Sequence, residues 1–250
     1  MTTNAVYIVT GSNRGLGLGL IKELLVRPNT TVIGTVRSEE AAAGLKQETA
    51  NAVTGNGSSL HIVQLNFSAA IAPEKIRETI SATNVDHVDV LINNAGGAQP
   101  MTRAGETTAD DLRAAFEVNT IAPLMVFQAV WPLLQKSSAP KLVMVTSSVG
   151  SISEMEPVPG GAYGPSRAAQ NWLTKALHLE NKDSGLISIA LHPGWVQTRA
   201  GQFVADQWGF ANGPPDTIES SVQGMLKVID GATKDTSGKF ITQKGEILGW

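Results

Sequence analysis

Short apolar runs recur along the chain with helix-length segments between them. The runs are Ala5–Thr10, Thr31–Val36, Leu60–Leu65, Val88–Asn93, Leu142–Ser147 and Ile187–His192, with a weaker one at Lys239–Thr242. They are rich in Val and Ile and lack strict polar alternation, as expected of strands buried on both faces of a parallel sheet. Between them, Leu16–Val26, Glu39–Ala52, Pro73–Ala82, Thr108–Glu117, Pro123–Gln135, Ala162–Asn181 and Thr217–Ile229 are long enough for crossover helices. Asp216 can cap the last of these, with Glu219 three residues later and Gly231 just past its end. The expected fold is α/β: a single-domain Rossmann fold, doubly wound around a seven-stranded, mostly parallel sheet.

Composition narrows this picture. At 250 residues the chain suits one large domain or two small ones. No linker, repeat or low-complexity tract divides it, so residues 1–250 read as one domain. Charged residues are 16 % and hydrophobic residues 42 %, which leaves a large core available and disorder unexpected. The absence of Cys excludes thiol nucleophiles, thiolate metal sites and disulfides. A formal charge of −3 with no Lys/Arg run lacks the footprint of a nucleic-acid or anionic-membrane binder. Met1-Thr2-Thr3-Asn4 carries no basic or apolar leader pattern, and no stretch approaches the roughly 18 apolar residues of a membrane span. The expectation is a soluble cytoplasmic protein. Four scattered His residues, at 61, 87, 178 and 192, suggest no metal site.

Gly and Pro concentrate at Gly11–Gly19, Glu156–Pro165 and Gly209–Pro215. The last two follow the fifth and sixth runs, where an open α/β sheet places its crevice, so substrate loops are expected near 149–161 and 195–216; plain polar connections are the alternative. The first holds Thr10-Gly11-Ser12-Asn13-Arg14-Gly15-Leu16-Gly17 between a strand and a helix. Missing Cβ atoms and a helix N-terminus suit a pyrophosphate. After the second strand, where an acidic residue would hold the ribose 2′-hydroxyl of NAD, stand Val36 and Arg37. Arg37, helped by Arg14, suits a 2′-phosphate, favouring NADP(H); two arginines simply facing water is the other reading.

These residues form part of a longer pattern. The turn at Thr10–Gly17, Asn93-Asn94-Ala95-Gly96, Asn119 within Glu117-Val118-Asn119, Ser147, Tyr163 and His192-Pro193-Gly194 resemble, in order and spacing over almost the whole chain, the short-chain dehydrogenase/reductases. The stretches Gly160–Ser166 and Pro193–Thr198 resemble more narrowly the norsolorinic acid reductase-like ketoreductases of fungal toxin biosynthesis. The resemblance implies that Tyr163 supplies a proton and Ser147 hydrogen-bonds a substrate carbonyl, with Ser148 as the competing serine. It also implies cofactor contacts from Gly11, Asn13, Arg14, Gly15, Leu16, Gly17, Arg37, Asn66, Asn93, Ala95, Gly96, Val118, Tyr163, Arg167, Pro193, Gly194, Val196 and Thr198. Asn66 stands where the family usually has an Asp.

The chain departs from the family most visibly at residue 167. Free tyrosine titrates near pH ~10 and needs nearby positive charge for this role. The family supplies a lysine four residues after the tyrosine, linked to solvent through a water on the asparagine at the Asn119 position. Here Arg167 takes that place: it keeps the charge and the reach to ribose but cannot release a proton near neutrality. The expected activity is NADPH-dependent reduction of a hydrophobic or aromatic, polyketide-like carbonyl compound. A cofactor-binding non-redox enzyme or scaffold of secondary metabolism is the alternative. Substrate contacts are expected from Ser147, Val149, Met155, Tyr163, Trp195, Phe203 and Trp208, although the aromatics after Thr198 suit a core or subunit interface as well. Phe116, Met125, Phe127 and Trp131 give the helices at 108–117 and 123–135 an apolar surface, so a homodimer or homotetramer is expected, with core packing of most of these side chains as the alternative.

Overall fold

The computed structural model describes residues 4–98 and 100–250, so the leader reading at Met1–Thr3 lies outside the described residues. In chain order the elements are β1 (Ala5–Val9), α1 (Gly15–Val26), β2 (Thr30–Val36), α2 (Glu39–Thr49), β3 (Ser59–Gln64), α3 (Pro73–Ser81), β4 (Val90–Asn93), α4 (Ala109–Phe116), α5 (Ala122–Leu134), β5 (Lys141–Val145), α6 (Tyr163–Glu180), β6 (Ile187–His192), α7 (Arg199–Trp208), α8 (Ile218–Asp230), β7 (Phe240–Thr242) and β8 (Ile247–Leu248). The strands form one sheet in the order β3-β2-β1-β4-β5-β6-β7-β8. The first seven pair in parallel; β8 returns antiparallel on β7. The sheet therefore has eight strands rather than the seven expected, because a two-residue edge strand has too few positions to show a period.

Both faces of the sheet are covered, which is why the strands read as continuous apolar runs. Val9, Val32, Ile92, Val143 and Ile189 pack with α1 and α8 on one side. Val6, Ile8, Ile33, Leu91 and Met144 pack with α3, α5 and Leu177 of α6 on the other. Strand order reverses at β1, whose neighbours are β2 and β4, so the crevice opens at the carboxyl ends of β1 and β4.

Four sequence expectations change. The segments at 108–117 and 123–135 are not separate helices: a π-helical turn, Glu117–Ile121, joins α4 to α5. The joined run Ala109–Leu134 is long and apolar enough, by length and composition, to cross a membrane, which the run-by-run reading missed. Half of its most apolar stretch is buried inside the fold, the placement of a core helix. Phe127 accordingly lies in the core, its ring 5.3 Å from that of Trp131. Residues 195–216 are not all loop, since α7 forms there. Thr198 caps it by accepting the Gly201 N–H. Thr217, not Asp216, caps α8 by accepting the Ser220 N–H.

Candidate active site

The turn after β1 is held by its neighbours. Thr10 Oγ1 accepts the Ala95 N–H at 2.8 Å, and Asn94 Nδ2 donates to the carbonyls of Thr10 and Gly11 at 2.9 and 3.2 Å. Gly11 and Gly15 have φ of 68° and 53°, in the left-handed region. A Cβ on Gly17 would stand 2.1 Å from the Gly11 carbonyl oxygen, so only glycine lets α1 start this close. Arg14 occupies the N-cap of α1 without capping it, and the first turn has no acidic side chain. Helices α2, α4, α7 and α8 all carry Ser or Thr caps instead. The leading N–H groups of Gly15, Leu16 and Gly17 have no acceptor within the helix and form a seat for an anion, with Asn13 half-buried beside them. Thr198 closes the turn's far side: its Cγ2 lies 3.3 Å from where a Gly15 Cβ would be.

Arg37 and Asn66 follow the carboxyl ends of β2 and β3, brought together by the Val36–Gln64 register. Arg14 and Arg37 are exposed, and neither makes an ion pair among the described residues. Asn66 Oδ1 accepts the Ser68 N–H. The Asn93 amide is fully buried and donates to the Pro123 carbonyl and Met144 Sδ, tying β4 to α5. Ala95 and Val118 border a narrow seam with Thr10 and Phe67.

Ser147, two residues past β5, accepts the Val149 N–H at 3.3 Å, starting a 3₁₀ turn at Ser148–Gly150. Tyr163 opens α6, and one helical turn later the Arg167 guanidinium lies 5.0 Å from the centre of its ring. Arg167 is only 6 % exposed. Its Nη1 donates to the Val145 carbonyl at 3.0 Å and to Gln170 Oε1 at 2.6 Å, while Nε has no partner among the described residues. Its Nη2 fills the space a Cβ on Gly96 would need. No carboxylate pairs with it among the described residues. A buried cation without a counter-ion is costly, and such arrangements concentrate at functional sites.

Asn119 sits in the π turn, a distortion frequent at functional sites. It accepts the Gly97 N–H and donates to the Gly97 carbonyl and Ser166 Oγ, each at 3.0 Å. Ser166 Oγ donates to the Tyr163 carbonyl at 2.7 Å. Asn119 thereby clamps the loop after β4 to the first turn of α6.

The loop after β6 is pinned by Asp216. Its Oδ2 accepts the Trp195 N–H, and its backbone bridges to Val196. Gly194 has a φ of 87°, and a Cβ there would stand 2.3 Å from Asp216 Oδ2. The Pro193 carbonyl accepts from Ser221 Oγ. The Trp195 ring lies 5.6 Å from Trp208 and 5.0 Å from Phe210, and Trp208 Nε1 donates to the Pro159 carbonyl, which joins the two crevice loops. Val149 packs near Gly160 and Gly164. Met155, at 69 % exposed, and Phe203 lie open to solvent.

His192 Nδ1 accepts the Ser148 N–H at 3.2 Å, which fixes the proton on Nε2. Burial pushes the imidazole down from 6.5 to about 4, and the more distant Asp216 only partly offsets this. Between these values the unfolded chain binds the proton that the folded chain refuses. Stability from this group is complete above 6.5 and falls toward pH 4, by up to about 3 kcal/mol. Urea titrations at the two ends of this window should show the loss in the parent and a smaller loss in His192→Asn. An identical slope in both would remove His192 from this role.

Sequence reasoning placed Thr10, Asn94 and Ser166 in motifs without giving them a role, read Asp216 as a helix cap and missed Gln170. One signal was available: Ser166, Gln170, Asn171 and Thr174 are polar residues on the buried face of α6, where apolar ones belong.

Comparison with known proteins gives a consistent result. A family described as short chain dehydrogenase matches residues 5–208. The chain is 38 % identical over 261 residues to the short-chain dehydrogenase RED3 of Pyricularia oryzae, across all of both chains. It is 34 % identical over 252 residues to norsolorinic acid ketoreductase nor1 of Dothistroma septosporum, covering 98 % of this chain and 92 % of that one. Among solved structures, an NADPH-bound carbonyl reductase from chicken fatty liver matches with a TM-score of 0.81 at 30 % identity, covering 100 % of each chain. The carbonyl reductase Sniffer of D. melanogaster matches with a TM-score of 0.85 at 28 % identity, over 99 % of this chain and 100 % of that one.

Proposed function

The chain belongs to the short-chain dehydrogenase family, and from that premise we propose that it is an NADPH-dependent ketoreductase acting on a hydrophobic, aromatic carbonyl compound of polyketide type. The glycine turn fits the cofactor: it offers uncapped N–H groups to a pyrophosphate, a Cβ on Gly17 would collide with the Gly11 carbonyl oxygen, and one on Gly11 would press against Ala95. Arg14 and Arg37 would hold the 2′-phosphate, and Pro193, Gly194, Val196 and Thr198 the nicotinamide end.

When bound, the reduced nicotinamide supplies a hydride to the carbonyl carbon. The Ser147 hydroxyl donates a hydrogen bond to the carbonyl oxygen, and Tyr163 delivers a proton to the same oxygen as charge develops on it. Arg167 stabilises the phenolate left behind and keeps its own proton throughout. The observation that carries this reading is the buried guanidinium on the Tyr163 ring with no carboxylate among the described residues to neutralise it. The second reading, cofactor binding without redox chemistry, draws on the commitment of Nη1 to Val145 and Gln170.

Cofactor choice has its own test. Losing a charge-assisted contact to the 2′-phosphate costs about 1.5–3 kcal/mol, so Arg37→Asp should weaken NADPH roughly 10- to 100-fold. NADH affinity should hold or improve. Equal losses for both cofactors, read by fluorescence titration, contradict the assignment.

The oligomer follows from the α5–α6 side. Ile121, Leu124, Ala169, Trp172 and Leu173 line an apolar hollow of about 340 Å³, and Trp172 is 68 % exposed. A second copy of the chain covers this face in a homodimer, whose mass light scattering reads directly; a monomer contradicts it.

A further inference from the structure

The chain joining Ser147 to Tyr163 is held at its start by the residues that follow β8. Ile152 and Ser153 donate their N–H groups to the Trp250 carbonyl at 3.1 and 2.8 Å. Ser151 Oγ donates to the Gly249 carbonyl at 2.9 Å, and the Gly249 N–H donates to Glu154 Oε1 at 2.7 Å. Ser151 Oγ also accepts the Glu154 N–H, so the segment is folded onto its anchor. The fit is close: a Cβ on Gly249 would stand 2.2 Å from Ser153 Oγ and 2.9 Å from Glu154 Oε1. The Trp250 ring stacks on the buried Phe240 of β7 at 5.8 Å, and Lys175 Nζ lies 6.0 Å from its centre. These four hydrogen bonds bridge nearly a hundred residues of sequence.

We propose that Gly249 and Trp250 are positioning residues that set substrate selectivity, by clasping residues 151–154 to the β7–β8 edge of the sheet. The clasp sits immediately after the 3₁₀ turn that Ser147 begins. The other end of the same loop is fixed separately, by Trp208 on the Pro159 carbonyl. Residues 152–158 therefore span two anchors on different elements, and the shape of the crevice wall depends on both. The turn that seats a pyrophosphate lies after β1, at another position in the sheet, so loosening the clasp should disturb the carbonyl substrate and spare the cofactor. This inference rests on the ketoreductase reading for its kinetic consequence and on the contacts alone for its structural one.

Gly249→Val wedges the clasp open, Trp250→Ala removes its stacked ring, and Trp250→Phe keeps a ring on Phe240. Hydrogen exchange should show the Ile152 and Ser153 amides losing protection in the first two variants and keeping it in the third. With an aromatic ketone, KM should rise by roughly 10- to 100-fold in Gly249→Val and Trp250→Ala, and discrimination among ketones should flatten. NADPH affinity should stay within about twofold of the parent, and Trp250→Phe should restore the parent KM. Unchanged protection at Ile152 and Ser153 overturns the clasp. Parallel losses of NADPH affinity and ketone turnover overturn the selectivity role and leave a general structural one. If the parent reduces no ketone, the ketoreductase reading fails while the exchange result still decides whether the clasp exists.

Discussion

Tyr163→Phe is expected to cut ketone reduction by about 10²- to 10⁴-fold, the range for loss of a positioned general acid. The change removes one oxygen and keeps the ring that lies 5.0 Å from the Arg167 guanidinium. The packing of α6 should survive, because the bonds that hold its first turn run from Asn119 to Ser166 and from Ser166 Oγ to the Tyr163 backbone carbonyl. NADPH affinity should therefore change little, and the loss should fall on kcat. A variant that keeps more than about a tenth of the parent rate would remove the phenol from proton transfer. Two tyrosines are present in the chain, and Tyr7 on β1 is well away from this chemistry, so Tyr7→Phe serves as the matched control.

Arg167→Met should have the next largest effect. At roughly 5–8 Å and an effective dielectric of about 20, a unit charge is worth about 2–3 kcal/mol to a phenolate, or roughly 30- to 200-fold in rate. Methionine fills the same channel without the charge, while Arg167→Lys keeps the charge on a shorter stem. Activity should fall in the first variant and persist in the second. Gln170→Leu makes the same argument from the other side. It removes the 2.6 Å acceptor that holds Nη1, so the rate should drop in the parent and stay level in the Arg167→Lys background, where no guanidinium needs placing. Equal losses in both backgrounds would make Gln170 a packing residue only. Activity that appears only with lysine would mean that Arg167 disables the site.

Much of this was legible in the sequence because its causes are local. The Val/Ile runs marked strands covered on two faces, and Gly11, Gly15 and Gly17 marked a turn that tolerates no Cβ. Arg167 four residues after Tyr163 placed both on one helix face. Features set by distant partners did not show. The π turn at Glu117–Ile121 inserts a residue into the helical period, so one helix read as two. The residues of α7 are amphipathic, but the helix is short and runs into the Gly/Pro-rich stretch Gly209–Pro215, so its segment read as loop. Asp216 looks like a helix cap until Gly194 brings the β6 loop against it. The clasp at Gly249 and Trp250 has no local signature, since every one of its bonds closes across the fold.

The reaction proposed for the protein is hydride transfer to a carbonyl with Tyr163 as proton donor. Its most direct test is a single-turnover reaction of the parent protein with an aromatic ketone and NADPH deuterated at the transferable position of the nicotinamide, with the alcohol read by mass spectrometry. One deuterium at the carbinol carbon is expected, formed at a rate that collapses in Tyr163→Phe. Tight NADPH binding with no labelled alcohol from any ketone in a broad aromatic panel would contradict it.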